Sequence, residues 1–147
     1  MTPAPYKRPE SILIVIYTPM GDCLLLRRRK PTDFWQSVTG SLEWGEDAEH
    51  AAARELREET GFDPANLQAT DLMFTFPIVP PWRERYAPDV ASNTETVFSL
   101  QLETPEAPRL NPREHLEYRW LPKAEAVELV SSWTNREAIE QLVPEPP

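Results

Sequence analysis

The sequence predicts an α+β fold with a mixed β-sheet, and two features carry this expectation. Several β-branched or leucine-rich runs of strand length are separated by turn residues. One longer run, residues 47–60, contains neither proline nor glycine and has apolar residues at helical spacing. Helices that lie before and after strands in this way pack on the faces of a sheet, so we expect a layered sandwich.

Length and composition predict one compact domain, residues 1–147. The chain has 40% hydrophobic and 27% charged residues, as is usual for a globular protein, and its length allows a continuous core. The formal net charge of −9 repels nucleic acid and anionic membranes, so we expect neither as a partner. Any phosphate-binding site must therefore be local, built from a cation or a few basic side chains.

Cysteine and histidine are rare, which argues against a disulfide and against a zinc site. The sequence holds Cys23, His50 and His115, whereas structural zinc sites use four such ligands. The proline-broken start lacks the apolar stretch of a signal peptide, and the run ILIVIY, residues 12–17, is far too short to span a membrane. We expect a cytoplasmic protein and, without any feature that requires assembly, a monomer.

The first elements are predicted to be strands. Residues 11–17 and 23–26 flank Pro19-Met20-Gly21-Asp22, which is turn chemistry, so they form a hairpin. A basic run, residues 27–30, follows at once, and we weigh a solvated strand end against contact with phosphate for it. Residues 35–39 predict a further short strand that ends at Gly40.

The clearest helix spans residues 47–60. Its small apolar residues recur at helical spacing, which suits close packing on a sheet. Gly61 stands where a left-handed C-terminal cap is favoured.

The second half of the chain predicts three strands and then two helices. The strands are residues 73–79, 94–102 and 118–121. A helix over residues 122–130 has Pro122 at its first position, and the last helix opens with Thr134-Asn135-Arg136-Glu137 as a capping box.

Three glutamates crowd one face of the predicted helix. Glu55, Glu58 and Glu59 are three and four positions apart, so their like charges repel. They also lie near the C-terminal end of the helix, where its macrodipole disfavours acidic residues. A hard divalent cation with oxygen ligands resolves both conflicts, and Mg²⁺ suits a few carboxylates plus phosphates. Arg54 can pair with Glu58, and Glu46 can bond backbone N–H groups or Arg54, so these two are predicted to support the ligands.

The same region resembles the signature of the Nudix hydrolase family. The pattern G-x5-E-x7-R-E-U-x-E-E-x-G-U, where U is apolar, is matched by Gly40, Glu46, Arg54, Glu55, Leu56, Glu58, Glu59, Gly61 and Phe62. The resemblance implies the α/β/α sandwich of that family and hydrolysis between phosphates with Mg²⁺, for which Mn²⁺ can substitute. It also implies that Glu55, Glu58 and Glu59 are catalytic metal ligands, with the carbonyl of Thr39 or Gly40 as a further candidate.

Other stretches resemble one bacterial branch of the family, whose members cleave dihydroneopterin triphosphate to the monophosphate and pyrophosphate in folate biosynthesis and act on some dNTPs such as dATP. These stretches are YKRPESILIVIY, DFWQSVTGS, RYAP, NTE, EHLEYRWL and SWTNREAIEQLV. The resemblance implies that Glu114 is a catalytic metal ligand from outside the helix. It implies substrate contacts at Lys7, Arg28, Thr39 and Ser132.

The stretch LMFTFPIVPPW, residues 72–82, matches this branch least well, although the pteridine or purine ring of a substrate would be expected to lie there. The resemblance implies that Phe76, Pro77, Ile78 and Val79 line the ring pocket. Lys7 has a simple alternative as a solvated residue, and Ser132 has one as a helix cap. Trp35, Trp120 and Trp133 are interpreted as core or cleft-wall aromatics rather than stacking platforms.

Two rival functions stay open. The first is a Nudix pyrophosphatase for another small-molecule substrate, such as a dNTP or ADP-ribose. The second is a Nudix domain that binds a nucleotide without cleaving it, although such a module has no need of the repelling glutamates.

Overall fold

The computed structural model describes residues 6–80 and 82–147, so the first five residues of the predicted domain lie outside it. Within this part of the chain, strands and helices follow one another in the order β1 (Glu10–Tyr17), β2 (Asp22–Arg28), β3 (Trp35–Gln36), β4 (Val38–Ser41), α1 (Ala48–Thr60), β5 (Gln68–Pro77), β6 (Ser92–Gln101), β7 (His115–Pro122), α2 (Lys123–Leu129) and α3 (Trp133–Leu142). No helix among these residues is both long enough and apolar enough to cross a bilayer.

The strands form one mixed sheet around β1. β1 runs parallel to β6 along its whole length, and β5 closes that side antiparallel to β6. On its other side β1 meets two strands: its end pairs with β2 through Tyr17 and Cys23, and its start pairs with β4 from Ser11 to Ile14. β2 continues away from β1 to pair with β3 and β7. The sheet therefore divides beside β1.

Helices cover both faces of this sheet, because successive side chains of a strand point to opposite sides. Ile12, Ile14 and Ile16 of β1 pack with Ala51, Ala52 and Leu56 of α1. Leu13 and Val15 face the other way and pack with Ala126, Ala138 and Ile139 of α2 and α3. Each fully buried leucine or isoleucine contributes on the order of 2 kcal/mol to folding. The predicted α/β/α sandwich with a mixed sheet is confirmed.

The caps of α1 also agree with the sequence. The Asp47 carboxylate accepts a hydrogen bond of 2.8 Å from the backbone N–H of His50. Gly61 has a φ of 75° and ends the helix, with its N–H bonded to the carbonyl of Arg57. The lengths and ends of the strands differ more.

The predicted strand at residues 35–39 is divided at Ser37. The N–H of Ser37 donates to Asn135 Oδ1 at 2.7 Å, and that of Trp35 donates to Ser131 Oγ at 3.0 Å. The backbone here is thus bonded to the start of α3 instead of continuing one ladder, and β4 runs on to Ser41.

Three further strands have other limits than predicted, because pairing extends into polar segments that periodicity alone does not mark. β5 begins at Gln68 and ends at Pro77, where residues 73–79 were expected. β6 covers Ser92–Gln101 instead of residues 94–102. β7 begins at His115 instead of residue 118, because β2 pairs with its whole length.

The starts of α2 and α3 correct two predictions. Pro122 ends β7 and is the N-cap of α2, so it is not the first helical residue. The capping box at Thr134 is wrong, since α3 begins at Trp133 and Ser132 is its N-cap. Ser132 Oγ accepts from the backbone N–H of Asn135 at 3.2 Å, which leaves Thr134 inside the helix.

Candidate active site

A cleft of about 750 Å³ opens where the sheet divides. It is bounded by the starts of β1 and β6, by β3 and β4, by the exposed face of α1, and by the start of α3. The residues predicted to bind metal or substrate all line it, namely Glu55, Glu58, Glu59, Glu114, Lys7, Arg28, Thr39, Phe76, Pro77, Ile78, Val79 and Ser132. The fold brings these side chains together, although their individual roles stay predictions.

The α1 glutamates form a compact cluster. One carboxylate oxygen from each of Glu55, Glu58 and Glu59 lies within 4.8 Å of the others. Their burial is graded, since the Glu58 side chain is 52% exposed, that of Glu55 13% and that of Glu59 6%. Burial raises the pKa of Glu55 to about 7, with repulsion from Glu59 and Glu58 adding to the rise.

Arg54 fixes the cluster from one side. Its guanidinium donates to both Glu46 oxygens, at 2.9 and 2.8 Å, and to the carbonyl of Ser41 at 3.2 Å. A further bond of 3.1 Å reaches Glu55, whereas Glu58 lies 3.6 Å away. Bonding to Arg54 lowers the pKa of Glu46 to about 2. Glu46 also accepts from the backbone N–H of Glu43, so it makes both kinds of contact expected of it.

Residue 40 must be a glycine because the side chain of Glu55 lies very close to its backbone. A Cβ atom at this position would lie 2.1 Å from Glu55 Oε2, well inside contact distance. Gly40 is not among the described glycines with positive φ, so the requirement comes from the neighbouring carboxylate and not from the backbone. The glycine of the Nudix pattern thus makes room for its glutamate.

A basic wall faces the carboxylates. Lys7 and Arg28 line the cleft with Arg85, and the backbone N–H of Lys7 donates to the Arg85 carbonyl at 2.8 Å. Burial lowers the pKa of Lys7, and the positive charges of Arg85 and Arg28 add to this shift. Arg27, in contrast, turns away to pair with Glu117 at 2.9 Å.

A smaller hollow of about 380 Å³ adjoins this wall. It is lined by Arg28, Arg29, Lys30, Arg85, Arg113 and Glu114. Of the basic run at residues 27–30, three members thus face a common hollow and one does not. The choice between phosphate contact and a solvated strand end stays a prediction for those three.

Glu114 lines the same cleft but lies outside the compact cluster of three. Its loop is held by backbone bonds, because the N–H of Glu114 donates to Asn111 and its carbonyl accepts from Arg29 at 2.8 Å. The negative charge of Glu114 acts on both Lys7 and Arg28. Its predicted role as a fourth metal ligand stays a prediction.

His115 is a neighbour that the sequence analysis missed. Its Nδ1 lies 2.7 Å from Glu59 Oε2, and its Nε2 lies 3.2 Å from the side-chain nitrogen of Gln36. The contact with Glu59 lacks the alignment of a hydrogen bond, so both atoms are buried without an aligned partner among the described residues. His115 reaches this position because β7 pairs with β2. No spacing in the neighbouring sequence predicts its contact with Glu59.

The remaining wall is aromatic and apolar. Phe34 and Trp82 meet edge to face at 5.4 Å, and Trp133 meets Phe74 in the same way at 5.5 Å. Trp35 and Trp120 pack in or against the core, and Trp133 lines the cleft, as interpreted from the sequence.

Several polar and aromatic lining residues also went unassigned. Phe34, Trp82, Arg85, Tyr86, Asn93 and Glu95 line the cleft without having been predicted. Five of them, all except Trp82, fall in the stretches DFWQSVTGS, RYAP and NTE, which was the available signal.

The donor set fits a divalent cation. All three side chains of the cluster offer carboxylate oxygens, the ligands that Mg²⁺ and similar hard ions prefer. Glu55 is largely buried beside the like charges of Glu59 and Glu58, and its raised pKa shows the cost of ionising that one carboxyl without a counter-ion. A cation at this point would offset the mutual repulsion of the three carboxylates.

The sandwich and the glutamate face of its first helix define the Nudix class of proteins. The NUDIX domain model matches residues 7–142, and the chain belongs to the Nudix family. It is 49% identical to the dihydroneopterin triphosphate diphosphatase of Escherichia coli strain K12, with 94% of each chain covered. The diphosphatase of the same name from Haemophilus influenzae is 38% identical, over 94% of this chain and 89% of that one.

A solved structure agrees with these relatives. The E. coli dihydroneopterin triphosphate pyrophosphohydrolase superposes with a TM-score of 0.88 at 46% identity, covering 94% of this chain and 97% of that one. The family and these relatives indicate an enzyme of the pyrophosphohydrolase type.

The close approach at Gly40 predicts a loss of activity without loss of fold. In Gly40→Ala the new methyl group displaces the Glu55 carboxylate, and we expect kcat/KM to fall by about 100-fold. Gly45→Ala is the control, because its Cβ meets nothing within 4 Å and costs only the strain of a φ of 86°, about 1 kcal/mol. Full activity of Gly40→Ala would show that Glu55 tolerates displacement.

The bond between Glu46 and Arg54 predicts a stability that depends on pH. Because the pKa of Glu46 falls from 4.5 to about 2 on folding, its contribution is complete above 4.5 and is lost towards 2. Urea unfolding of metal-free Glu46→Gln should therefore show a deficit of about 2 kcal/mol at neutral pH that shrinks in acid. Glu43→Gln is the control, since its carboxylate is 3.8 Å from Arg54 and 71% exposed. A deficit for Glu46→Gln that is the same across this pH range contradicts the assignment.

Proposed function

We propose that this enzyme uses Mg²⁺, or Mn²⁺ in its place, to hydrolyse dihydroneopterin triphosphate to the monophosphate and pyrophosphate, as a step of folate biosynthesis. The cluster of Glu55, Glu58 and Glu59 across from Lys7 and Arg28 carries the proposal. The full-length similarity to diphosphatases of that name supports the choice of substrate.

The charges of the cleft suggest how the phosphate chain lies. Lys7, Arg28 and Arg85 offer N–H donors to phosphate oxygens, and partial burial strengthens such bonds. Glu55, Glu58 and Glu59, with Glu114 as the proposed further ligand, would hold the cation opposite them. When bound, the cation would neutralise phosphate charge and make water a better nucleophile.

The protein contributes alignment and proton acceptance. Arg54 and Glu46 keep Glu55 in place, so the carboxylates stay oriented while the substrate changes. A glutamate of the cluster is the proton acceptor. The apolar wall at Phe76, Pro77, Ile78 and Val79 would contact the heterocycle, and Thr39 and Ser132 the rest of the substrate.

Two alternatives are retained. The first alternative is a pyrophosphatase for another nucleotide. Hydrolysis of dATP or another dNTP would use the same basic wall, and ADP-ribose would need the cleft to accept a second sugar. The second alternative is a domain that only binds nucleotides, and the graded burial of like charges on α1 argues against it.

We also propose that residues 1–147 form one domain that acts as a monomer in the cytoplasm. Its partner would be the triphosphate, without nucleic acid or membrane.

A substrate panel tests the proposal. With Mg²⁺, the purified chain should release pyrophosphate from dihydroneopterin triphosphate with a higher kcat/KM than from dATP. This value should also exceed the kcat/KM for ADP-ribose, whose hydrolysis is measured as formation of AMP and ribose 5-phosphate. Excess chelator should abolish the activity, and added Mg²⁺ or Mn²⁺ should restore it. Equal turnover in chelator refutes the metal role, preference for ADP-ribose refutes the substrate, and binding without turnover supports the binding module.

The division of the basic run predicts a contrast between neighbouring arginines. Arg28→Ala removes a cleft cation, so we expect KM to rise by about tenfold or more at unchanged stability. Lys7→Ala should behave similarly. Arg27→Ala is the matched control, because Arg27 bonds Glu117 and the carbonyl of Thr32 outside the cleft. Equal KM values for Arg28→Ala and Arg27→Ala would assign Arg28 to the solvated strand end.

A further inference from the structure

Glu95 is a buried carboxyl in the cleft that the chemistry at phosphorus does not use. It lies on β6 opposite Ser11 of β1, is 5% exposed, and lines the cleft from the sheet side. It is not part of the α1 cluster. Burial raises the pKa of Glu95 to about 7, and only a hydrogen bond with Thr134 opposes the rise.

Its hydrogen-bonding capacity is incomplete. Glu95 Oε1 and Asn93 Oδ1 are buried and have no hydrogen-bond partner within residues 6–80 and 82–147. Asn93 is oriented by its own amide nitrogen, which donates to Ser11 Oγ at 2.7 Å. Two acceptors two residues apart on one strand thus share a face and lack donors. Leaving a buried acceptor unbonded is costly, so such a pair points to a ligand that supplies N–H groups.

The surroundings specify the shape of that ligand. Trp82 and Trp133 line the same cleft with planar indole rings, and Ile78 adds aliphatic surface. A planar heterocycle fits between such walls, with its hydrogen-bonding edge turned to the strand. An edge with two adjacent N–H donors matches a carboxylate, which accepts two parallel bonds.

We propose that Glu95 selects the substrate by accepting hydrogen bonds from a ring N–H and the adjacent exocyclic amino group of a 2-amino-4-oxopyrimidine edge, with Asn93 as an auxiliary acceptor. The pterin ring carries this edge, and so does guanine. Adenine instead places one amino group beside a ring nitrogen that is an acceptor. This assignment rests on the proposed function and names the residue that sets its specificity.

The variant Glu95→Gln tests the assignment. A glutamine offers one acceptor and one donor, which suits adenine and opposes the pterin edge. We expect kcat/KM for dihydroneopterin triphosphate to fall by about 10- to 100-fold, while that for dATP changes by less than about threefold. Glu103→Gln, an exposed carboxylate just beyond β6, should change neither value. An equal fall for both substrates, or no change for either, would overturn the proposal.

A binding measurement separates this proposal from the proposed function. Calorimetric titration with dihydroneopterin monophosphate in Mg²⁺ requires no turnover, and Glu95→Gln should bind it about tenfold or more weakly than the parent. This result supports the recognition by Glu95 even if the triphosphate is not hydrolysed. Equal affinity in both proteins, or no binding by the parent, contradicts it.

A comparison on the parent protein covers the case in which Glu95→Gln does not fold. dGTP and dITP differ only by the 2-amino group that Glu95 would accept from. The parent should therefore prefer dGTP by about tenfold or more in kcat/KM. Equal values for dGTP and dITP would remove the basis for the proposal.

Discussion

Mutual repulsion among the glutamates of α1 is the constraint around which the cleft is built. Three carboxylates meet within 4.8 Å on one helical face, close to the C-terminal end of the helix. Nothing in helix energetics favours that arrangement. The structure sustains it with a guanidinium on one side, a glycine that leaves room on the other, and helix caps that hold α1 at both ends. Arg54 offsets part of the negative charge, and the remaining charge fits a divalent cation.

This constraint explains why the cleft is divided by charge. An acidic chain with a net charge of −9 cannot attract a triphosphate by its overall field. It can do so locally, because Lys7, Arg28 and Arg85 stand across from the glutamates and Arg29, Lys30 and Arg113 extend the basic wall into the adjoining hollow. The triphosphate would thus lie between the basic side chains on one wall and a metal ion held by the glutamates on the other. The uncharged walls, with their unbonded acceptors, are left for the heterocycle.

Local features of the structure were the ones that the sequence could predict. The limits of α1, its caps, the hairpin of β1 and β2 and the glutamate face depend on residues a few positions apart, so their spacing was sufficient. The start of α3 is a local feature too, yet the prediction of a capping box at Thr134 was wrong. Ser132 and Thr134 both offer a capping hydroxyl, and only the backbone conformation selects Ser132. Composition and hydropathy do not resolve such a choice.

Long-range pairing determined what the sequence could not predict. His115 reaches Glu59 only because β7 pairs with β2, and Glu95 enters the cleft only because β6 lies in parallel register with β1. Both residues lie in stretches that carry the family resemblance, EHLEYRWL and NTE, but no spacing within those stretches assigns either residue to the cleft. Lys7, Glu114 and Ser132 were found by resemblance to a family and not by physical argument, which is why their roles depend on further experiments.

Ser132 shows how the structure narrows such a role. Its Oγ accepts from the backbone N–H of Asn135 at 3.2 Å and from the Asn135 side chain at 2.9 Å, so both acceptor sites of the hydroxyl are in use. Its hydrogen is directed either to Thr134, at 3.3 Å, or into the cleft. Capping the helix and contacting the substrate are therefore compatible. Any bond from Ser132 to the substrate must be donated by the hydroxyl, so its partner there must be an acceptor such as a phosphate or carbonyl oxygen.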